Sequence, residues 1–394
     1  MFKKKLIIII ICLFFLLPSI YFFAPVNSFK ILELNGVQHS YVQPSLSKDS
    51  FLDKTFQKQV EHKNNPFFLW NNFYLKFFNT FMYEVFKKSY SMTTEIIVGK
   101  DNYLYQQGYP ISLYIDYGSD EDNKIKAANY AKNIKFVQDY LKSKNKVFVF
   151  VIEPSKAVFI QDKIPVRFIK KEGNGSYFRM YDLYMDALEK EGINLVQVPE
   201  ILEKDTSNHI FFPKGALHWG NYPVYLAIQK VIEEINKNVP FKIEQIKLKE
   251  VIKDNKPSGY DADMAMALNV YNPPLDYPVE HFLISPNKKE SGYKAALIGS
   301  CFFDQFVPMF KSSSSFKNYS YYSYFVFSRE DFVNNKSIGI KYFDSDTNRQ
   351  DIVTQIMEND IVIISLNQAF IDLDSNDYVK TFAQELKKYA EIHK

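Results

Sequence analysis

Seven residues, Lys146–Ile152, read KVFVFVI. Past the lysine no position is polar, so a strand built from them must be covered on both faces. Such a strand belongs inside a parallel sheet flanked by helices. Asp360–Ser365 (DIVIIS) has the same character, and Asn194–Val198 and Ala295–Ile298 are shorter runs of the same kind. A further strand is expected over Tyr324–Phe327. Between these runs the spacing turns helical. Ile125, Ala128, Ala131, Ile134, Val137 and Leu141 mark a helix over residues 121–144. Tyr177–Glu191 and Tyr222–Asn236 read as two more, and Phe382–His393 as an amphipathic closing helix. Strands alternating with helices predict a layered α/β fold with a mostly parallel central sheet.

The amino end follows another logic. Lys3, Lys4 and Lys5 precede Leu6–Ala24, which carries no charge. That is about the length of a bilayer-spanning helix. The lysines predict a cytoplasmic amino terminus with the rest exported. No small-residue cleavage site stands out near Val26-Asn27-Ser28, so an uncleaved anchor is preferred to a signal peptide. The expected organisation is a membrane anchor or signal over 1–28, a helical lead-in packed on the domain over 29–97, and an α/β domain over 98–394. Within the lead-in, Ser47–Gln57 and the aromatic-rich Phe67–Tyr90 read as helices, the second buried. The Lys-rich segment 237–258 reads as a linker or peripheral ribbon. A net charge of +3 demands no nucleic-acid partner. The two cysteines, Cys12 and Cys301, are not placed to pair, which leaves one thiol in the exported part.

That thiol lies in the segment most suggestive of chemistry. Ala295–Ile298 ends at Gly299, Ser300 and Cys301 follow, and Phe302 opens a stretch able to form a helix. Strand, sharp turn and helix hold a nucleophile at the carboxyl edge of a sheet. Backbone N–H groups at the helix start can receive a developing oxyanion, and the same environment favours a thiolate. Ser300 and Cys301 both compete for the role, with Gly299 and Phe302 completing the turn. An ordinary strand–helix connection has the same look. The run Glu153-Pro154-Ser155-Lys156 is expected at the same sheet edge.

His218 sits in a loop bracketed by Gly215 and Gly220, beside Trp219, one of two tryptophans. An imidazole there suits a general base. A third stretch, Gly259–Leu268, places Asp261 and Asp263 ahead of an apolar segment; a helix cap explains Asp263 equally well. His209 and His218 lack the i, i+4 spacing of a helical zinc site, and no Cys–His cluster exists, so no metal is expected. Gly173-Asn174-Gly175 is not a nucleotide-binding motif, and no cofactor is expected.

Taken in order, Gly99–Tyr105, Glu153–Lys156, His218-Trp219, Asp263-Met264-Ala265, Gly299–Phe302 and the Asp360–Ser365 run resemble the SGNH-hydrolase-like domain of the alginate O-acetyltransferase family, over about residues 45–370. The resemblance implies an SGNH-like fold behind an N-terminal transmembrane helix, in a single-pass protein of a bacterial inner membrane with its bulk in the periplasm or outside the cell. It implies that a serine on the turn is acetylated and passes the group to a polysaccharide hydroxyl, that the histidine before tryptophan is the base, and that an aspartate two residues earlier orients it. A polytopic membrane O-acyltransferase is the implied acetyl donor. Two positions depart from the pattern: Cys301 replaces the serine and Ala216 the aspartate. A thiol has a reference pKa of about 8.5 and needs less help from its base. A Cys301–His218 pair is therefore expected to act as an acyl-enzyme nucleophile and base, with Asp263 or Asp261 as supporting acid and Trp219 lining the substrate or oxyanion site. The protein is read as an O-acetyltransferase, or an acetyl esterase where water is the acceptor. The alternative is a catalytically inactive scaffold or polysaccharide-binding subunit of an export complex.

Overall fold

A computed structural model describes residues 34–35, 47–58, 66–90, 95–169, 175–344, 346–372 and 378–393. The expected membrane anchor lies outside these residues. Among the described residues no helix is long and apolar enough to cross a membrane. The chain divides into two compact units, one comprising residues up to Val98 together with Met264–Pro274, the other Gly99–Asp263 with Leu275–Lys394.

In the first unit a short helix, Lys48–Leu52, is capped by Ser47, and a long one spans Pro66–Phe86. The long helix carries the 264–274 segment: Asn79 Nδ2 donates to Leu268 O at 3.2 Å, and Tyr271 N donates to Thr80 Oγ1 at 3.0 Å. Its aromatics are not uniformly buried. Tyr83 is covered, whereas Phe77 and Phe86 are more than half exposed. One helix flank holds its partner segment, and the aromatics on other flanks find nothing to cover them among the described residues.

The strands in chain order are β1 (Ile96–Val98), β2 (Leu104–Gln106), β3 (Val147–Glu153), β4 (Leu195–Gln197), β5 (Lys247–Asp254), β6 (Val279–Ser285), β7 (Ser291–Gly299), β8 (Phe316–Ser323), β9 (Ser328–Val333), β10 (Lys336–Tyr342) and β11 (Ile361–Asn367). The second unit is built on a seven-stranded sheet of order β10-β9-β8-β7-β11-β3-β4. β4, β3, β11, β7 and β8 run parallel, and β9 and β10 extend the edge as antiparallel neighbours. β3 and β11 are buried at every position, as their unbroken apolar runs require. β5 and β6 form a separate antiparallel ribbon, so the 237–258 segment is partly a ribbon strand.

The helix Asp120–Ser143 begins at Ser119, whose hydroxyl accepts from Asp122 N. Its buried stripe runs through Ala127, Tyr130, Ala131, Ile134, Val137 and Leu141. Ile125 and Ala128 face outward, because they lie off the i, i+3/i+4 stripe that runs through Ala127, Ala131, Ile134, Gln138 and Leu141. Ser176–Lys190, Asn221–Asn238 and Tyr378–Ile392 are the other long helices of this unit.

One expected strand is absent. Tyr324–Phe327 is the connection between β8 and β9, with Tyr324 and Phe325 both left-handed at φ 48° and 63°. β-branched and aromatic composition favours a strand, but β8 has already ended at Ser323, paired with Gly299. Side chains at positive φ in a hairpin turn, where Asn-Gly is usual, hold stored strain of about 1–3 kcal/mol each. The register brings Glu153, Asn367, Gly299 and Ser323 to one carboxyl edge of the parallel sheet.

Candidate active site

The turn after β7 is shaped by a position with no room for a side chain. A Cβ on Gly299 would lie 2.4 Å from Phe303 Cβ and 2.5 Å from Ser365 Oγ. Phe303 N donates to Ser300 O at 2.9 Å, closing the turn into a short 3-10 segment and the helix Phe306–Ser313. Gly299→Ala is expected to cost about 1–3 kcal/mol through overpacking, seen as a lower denaturant midpoint with unchanged m value.

Two side chains leave this turn in different directions. Ser300 is buried, and its Oγ accepts from Phe302 N at 3.3 Å. Its hydroxyl faces the turn and Glu153, not solvent. Cys301 is a partly exposed free thiol. Tyr324 Oη donates toward Cys301 Sγ at 3.5 Å, and the same phenol faces the Cys301 backbone N–H. The strained β8–β9 turn is what delivers Tyr324 to the thiol. Burial and the neighbouring Cys301 push the Tyr324 phenol up, so it remains a donor at neutral pH. Tyr109, fully buried, packs against Phe302 at a ring separation of 5.7 Å.

His218 is buried beside this thiol. Its Nδ1 lies 2.5 Å from Asp263 Oδ2, while Asp263 Oδ1 accepts from Leu217 N at 2.8 Å. The carboxylate thus grips the loop backbone and the imidazole together and fixes the ring's tilt, while Nε2 is left without a hydrogen-bond partner among the described residues. Burial lowers the imidazole's basicity, but the hydrogen bond to Asp263 and the adjoining Cys301 outweigh it and raise the pKa to about 10. His218 therefore keeps a proton at neutral pH. Asp261, two residues before Asp263, does not reach His218. Its carboxylate turns toward His281, 3.9 Å away.

The histidine loop is tied down from three sides. Lys156, buried just past the end of β3, donates from Nζ to Pro213 O, Lys214 O and Ala216 O at 2.7–2.8 Å. Burial draws its ammonium down to about 7. Trp219 Nε1 donates to Phe302 O at 3.0 Å, and Gln305 Nε2 donates to Trp219 O at 2.8 Å. Trp219 is wholly buried and faces no substrate; it bolts the histidine loop to the nucleophile turn. Phe302 likewise serves through packing, its ring 4.7 Å from the His218 ring, while its N–H is directed at Ser300 Oγ. The Cys301 N–H, by contrast, faces Tyr324 Oη.

Two further groups shape the site. Glu153 is entirely buried at the end of β3. Burial lifts its carboxyl to about 8, against the pull of Ser365, His218 and Ser300, so it stays largely neutral at pH 7. Tyr260 leans its ring on His218 at 4.9 Å and donates to Asp304 Oδ2 at 2.8 Å. Tyr324 and Tyr260 carried no sequence signal of their own, although Tyr260 falls inside the Gly259–Leu268 stretch. Among the described residues no group of three His, Cys, Asp or Glu side chains is placed to hold a metal ion.

The site thus holds a partly exposed thiol, a buried imidazole near it, a carboxylate hydrogen-bonded to that imidazole and a phenol facing the sulfur, groups of the types that acyl transfer uses. A family model for the SGNH hydrolase-like domain of acetyltransferase AlgX matches residues 96–300, just over half of the chain. Among solved structures, the O-acetyltransferase domain of Pseudomonas putida AlgJ is similar at 14% identity and a TM-score of 0.44, over 74% of this chain and 99% of that one. Bacillus cereus PatB1, solved with a sulfonyl adduct, is similar at 12% identity and a TM-score of 0.47, over 72% and 99%. Pseudomonas aeruginosa AlgX follows at 15% and 0.42, over 74% and 67%. No curated protein matches the sequence.

Proposed function

Because this chain belongs to the family of the SGNH hydrolase-like domain of acetyltransferase AlgX, we propose that it is an exported O-acetyltransferase that carries the acetyl group on Cys301 and hands it to a hydroxyl of a cell-surface polysaccharide. The observation that supports this most is the Asp263–His218 pair at 2.5 Å beside the thiol. The acid missing at position 216 is supplied by another loop, so the site has every part that the chemistry needs.

The steps follow from the geometry. Cys301 Sγ, its proton held on His218 Nε2, attacks the acetyl carbonyl of the donor. A C–S bond forms, and the carbonyl electron pair moves onto oxygen, toward Cys301 N–H and Tyr324 Oη. As the intermediate collapses, the donor's leaving oxygen takes the proton from His218. The imidazole is now neutral. It accepts the proton of a sugar hydroxyl while that oxygen attacks the thioester carbonyl. The C–S bond breaks, and sulfur and imidazolium are restored as they began. Asp263 balances the imidazolium at both stages. The apolar Leu6–Ala24 segment, preceded by three lysines, supports anchoring in the cytoplasmic membrane with the catalytic unit outside. A polytopic membrane O-acyltransferase is the proposed source of acetyl.

The test uses the full chain and a chromogenic acetyl ester, followed by intact mass and peptide mapping. One acetyl group on the peptide holding Cys301, released by neutral hydroxylamine as a thioester is, is the expected result. A hydroxylamine-resistant ester on the same peptide would place the acyl group on Ser300 instead. A folded protein giving neither adduct nor turnover would support the scaffold reading. Tyr324→Phe should slow ester turnover by about 10²-fold, the cost of an oxyanion donor, measured as kcat at saturating ester.

A further inference from the structure

The helix Pro66–Phe86 is turned inside out. At about 100° per residue, Asn72, Asn79 and Tyr83 share one face, and all three are buried. That face meets the 264–274 segment of its own unit, where Asn79 donates to Leu268 O. Phe77, Phe78, Phe81 and Val85 fall on the opposite face, and each is at least 45% exposed. Phe86 leans on Phe81 and Tyr90 on Phe78, at ring separations of 5.7 and 5.5 Å, and both are themselves half exposed. The six side chains therefore form one patch. A helix between protein and water carries the reverse pattern, with its apolar stripe turned to the protein. Here asparagine is spent inward and phenylalanine is presented outward, the mark of a surface that meets something other than water.

The make-up of the patch selects what it meets. Aromatic rings on one face of a helix, with lysines beside them, are the equipment of a helix that lies in a membrane interface. Between residues 66 and 90 stand three lysines, Lys76, Lys87 and Lys88, against the single acid Glu84, a balance that suits anionic headgroups. Lys87 and Lys88 are exposed at the carboxyl end of the helix, next to the patch. The helix is not apolar enough to cross a bilayer, so it lies on one. Residues 25–65 are all that separate it from the charge-free run Leu6–Ala24. A chain reaches at most about 3.5 Å per residue, so an anchor in that run keeps the patch within reach of the bilayer. A protein partner fits less well, because a stable interface takes roughly 20–30 residues a side and this patch is confined to the last turns of one helix and the residues just after it.

We propose that the face bearing Phe77, Phe78, Phe81 and Val85 rests on the lipid bilayer, with the helix in the plane of the membrane and its rings at the level of the headgroups. The contact holds the first unit against the membrane surface instead of leaving it to swing on a tether. The proposal rests on the membrane-anchor reading for the nearness of the bilayer and on the patch alone for what it touches.

The test places the photo-reactive residue p-benzoylphenylalanine at position 77, at 81 or, as a control, at 241, where Phe241 is exposed on the second unit. Each full chain is reconstituted in nanodiscs of phosphatidylethanolamine and phosphatidylglycerol, irradiated, and mapped by mass spectrometry. Lipid adducts at 77 and 81 at least tenfold above those at 241 are expected. Yields at 77 and 81 no higher than at 241 would overturn the proposal. So would cross-links from those positions into a second copy or into residues 1–46 of the same chain, since either would name another cover for the patch. If the chain does not stay with the nanodiscs, the anchor reading has failed. The same three proteins are then irradiated with vesicles of that lipid mixture, and the adduct ratio still decides what the patch touches.

Discussion

Cys301→Ala is expected to abolish the proposed acyl-enzyme and to lower ester turnover by at least about 10⁴-fold, the scale on which losing a nucleophile acts. Cys301→Ser is the more informative partner. Had the base lacked an acid, a serine at 301 would be inert, because a hydroxyl needs a stronger base than a thiol does. With Asp263 Oδ2 at 2.5 Å from His218 Nδ1, the serine variant is expected to keep turnover well above that of Cys301→Ala and to form an ester that resists neutral hydroxylamine. Stopped-flow release of the chromophore and intact mass read both. Equal inactivity of the two variants in folded protein would mean that the site is tuned to sulfur alone.

Asp263→Asn carries the second large effect. It removes the charge that balances the imidazolium and leaves an amide where Leu217 N–H and the imidazole both need an acceptor. In the thiol protein a loss of about 10²-fold in kcat is expected, because sulfur relies less on the acid. Combined with Cys301→Ser, the loss should approach about 10⁴-fold. A double-mutant cycle on kcat checks this non-additivity. The pH dependence has a definite sign. His218 titrates near 10 in the folded protein, against about 6.5 unfolded. Its contribution to stability is complete below about 6.5 and fades as pH rises through about 10. Asp263→Asn should move the imidazole titration down, observed by ¹⁵N NMR. The stability gap from wild type should be widest near neutral pH and shrink as pH rises through about 10.

The sequence announces the sheet because β3 and β11 have no polar position to misread, and their carboxyl ends then fix where chemistry sits. Cys301 and His218 are visible for the same reason: one follows a buried run, the other interrupts a glycine-bracketed loop. Asp263 is harder to see. An orienting carboxylate needs only to arrive at a point in space, and here it arrives from 45 residues downstream of His218. Nothing local distinguishes it from a helix cap or from Asp261, which shares its stretch and faces another way. Trp219 misleads in the opposite sense. An aromatic beside a base suggests a substrate wall, yet its indole N–H is consumed by Phe302 O. Tyr324 is hidden because aromatic composition favours a strand, and only the pairing of Ser323 with Gly299 reveals that the strand has ended. Lys156 shows its position at the sheet edge but not its task, since three carbonyls of a distant loop have no pattern in sequence.

The bond between Trp219 and Phe302 gives the protein an optical reporter of its own. Indole emission responds to the polarity around the ring and to the state of its N–H. This ring is sealed from water, tilted against Phe306 at 5.7 Å, and hydrogen-bonded to the segment that carries the sulfur. An acyl group on Cys301, as proposed, would sit one residue from the carbonyl that the indole holds. The chain has one other tryptophan, Trp70, and replacing it by phenylalanine leaves a single fluorophore at the junction of base and nucleophile. Each turnover could then be watched from inside the site, with no label attached.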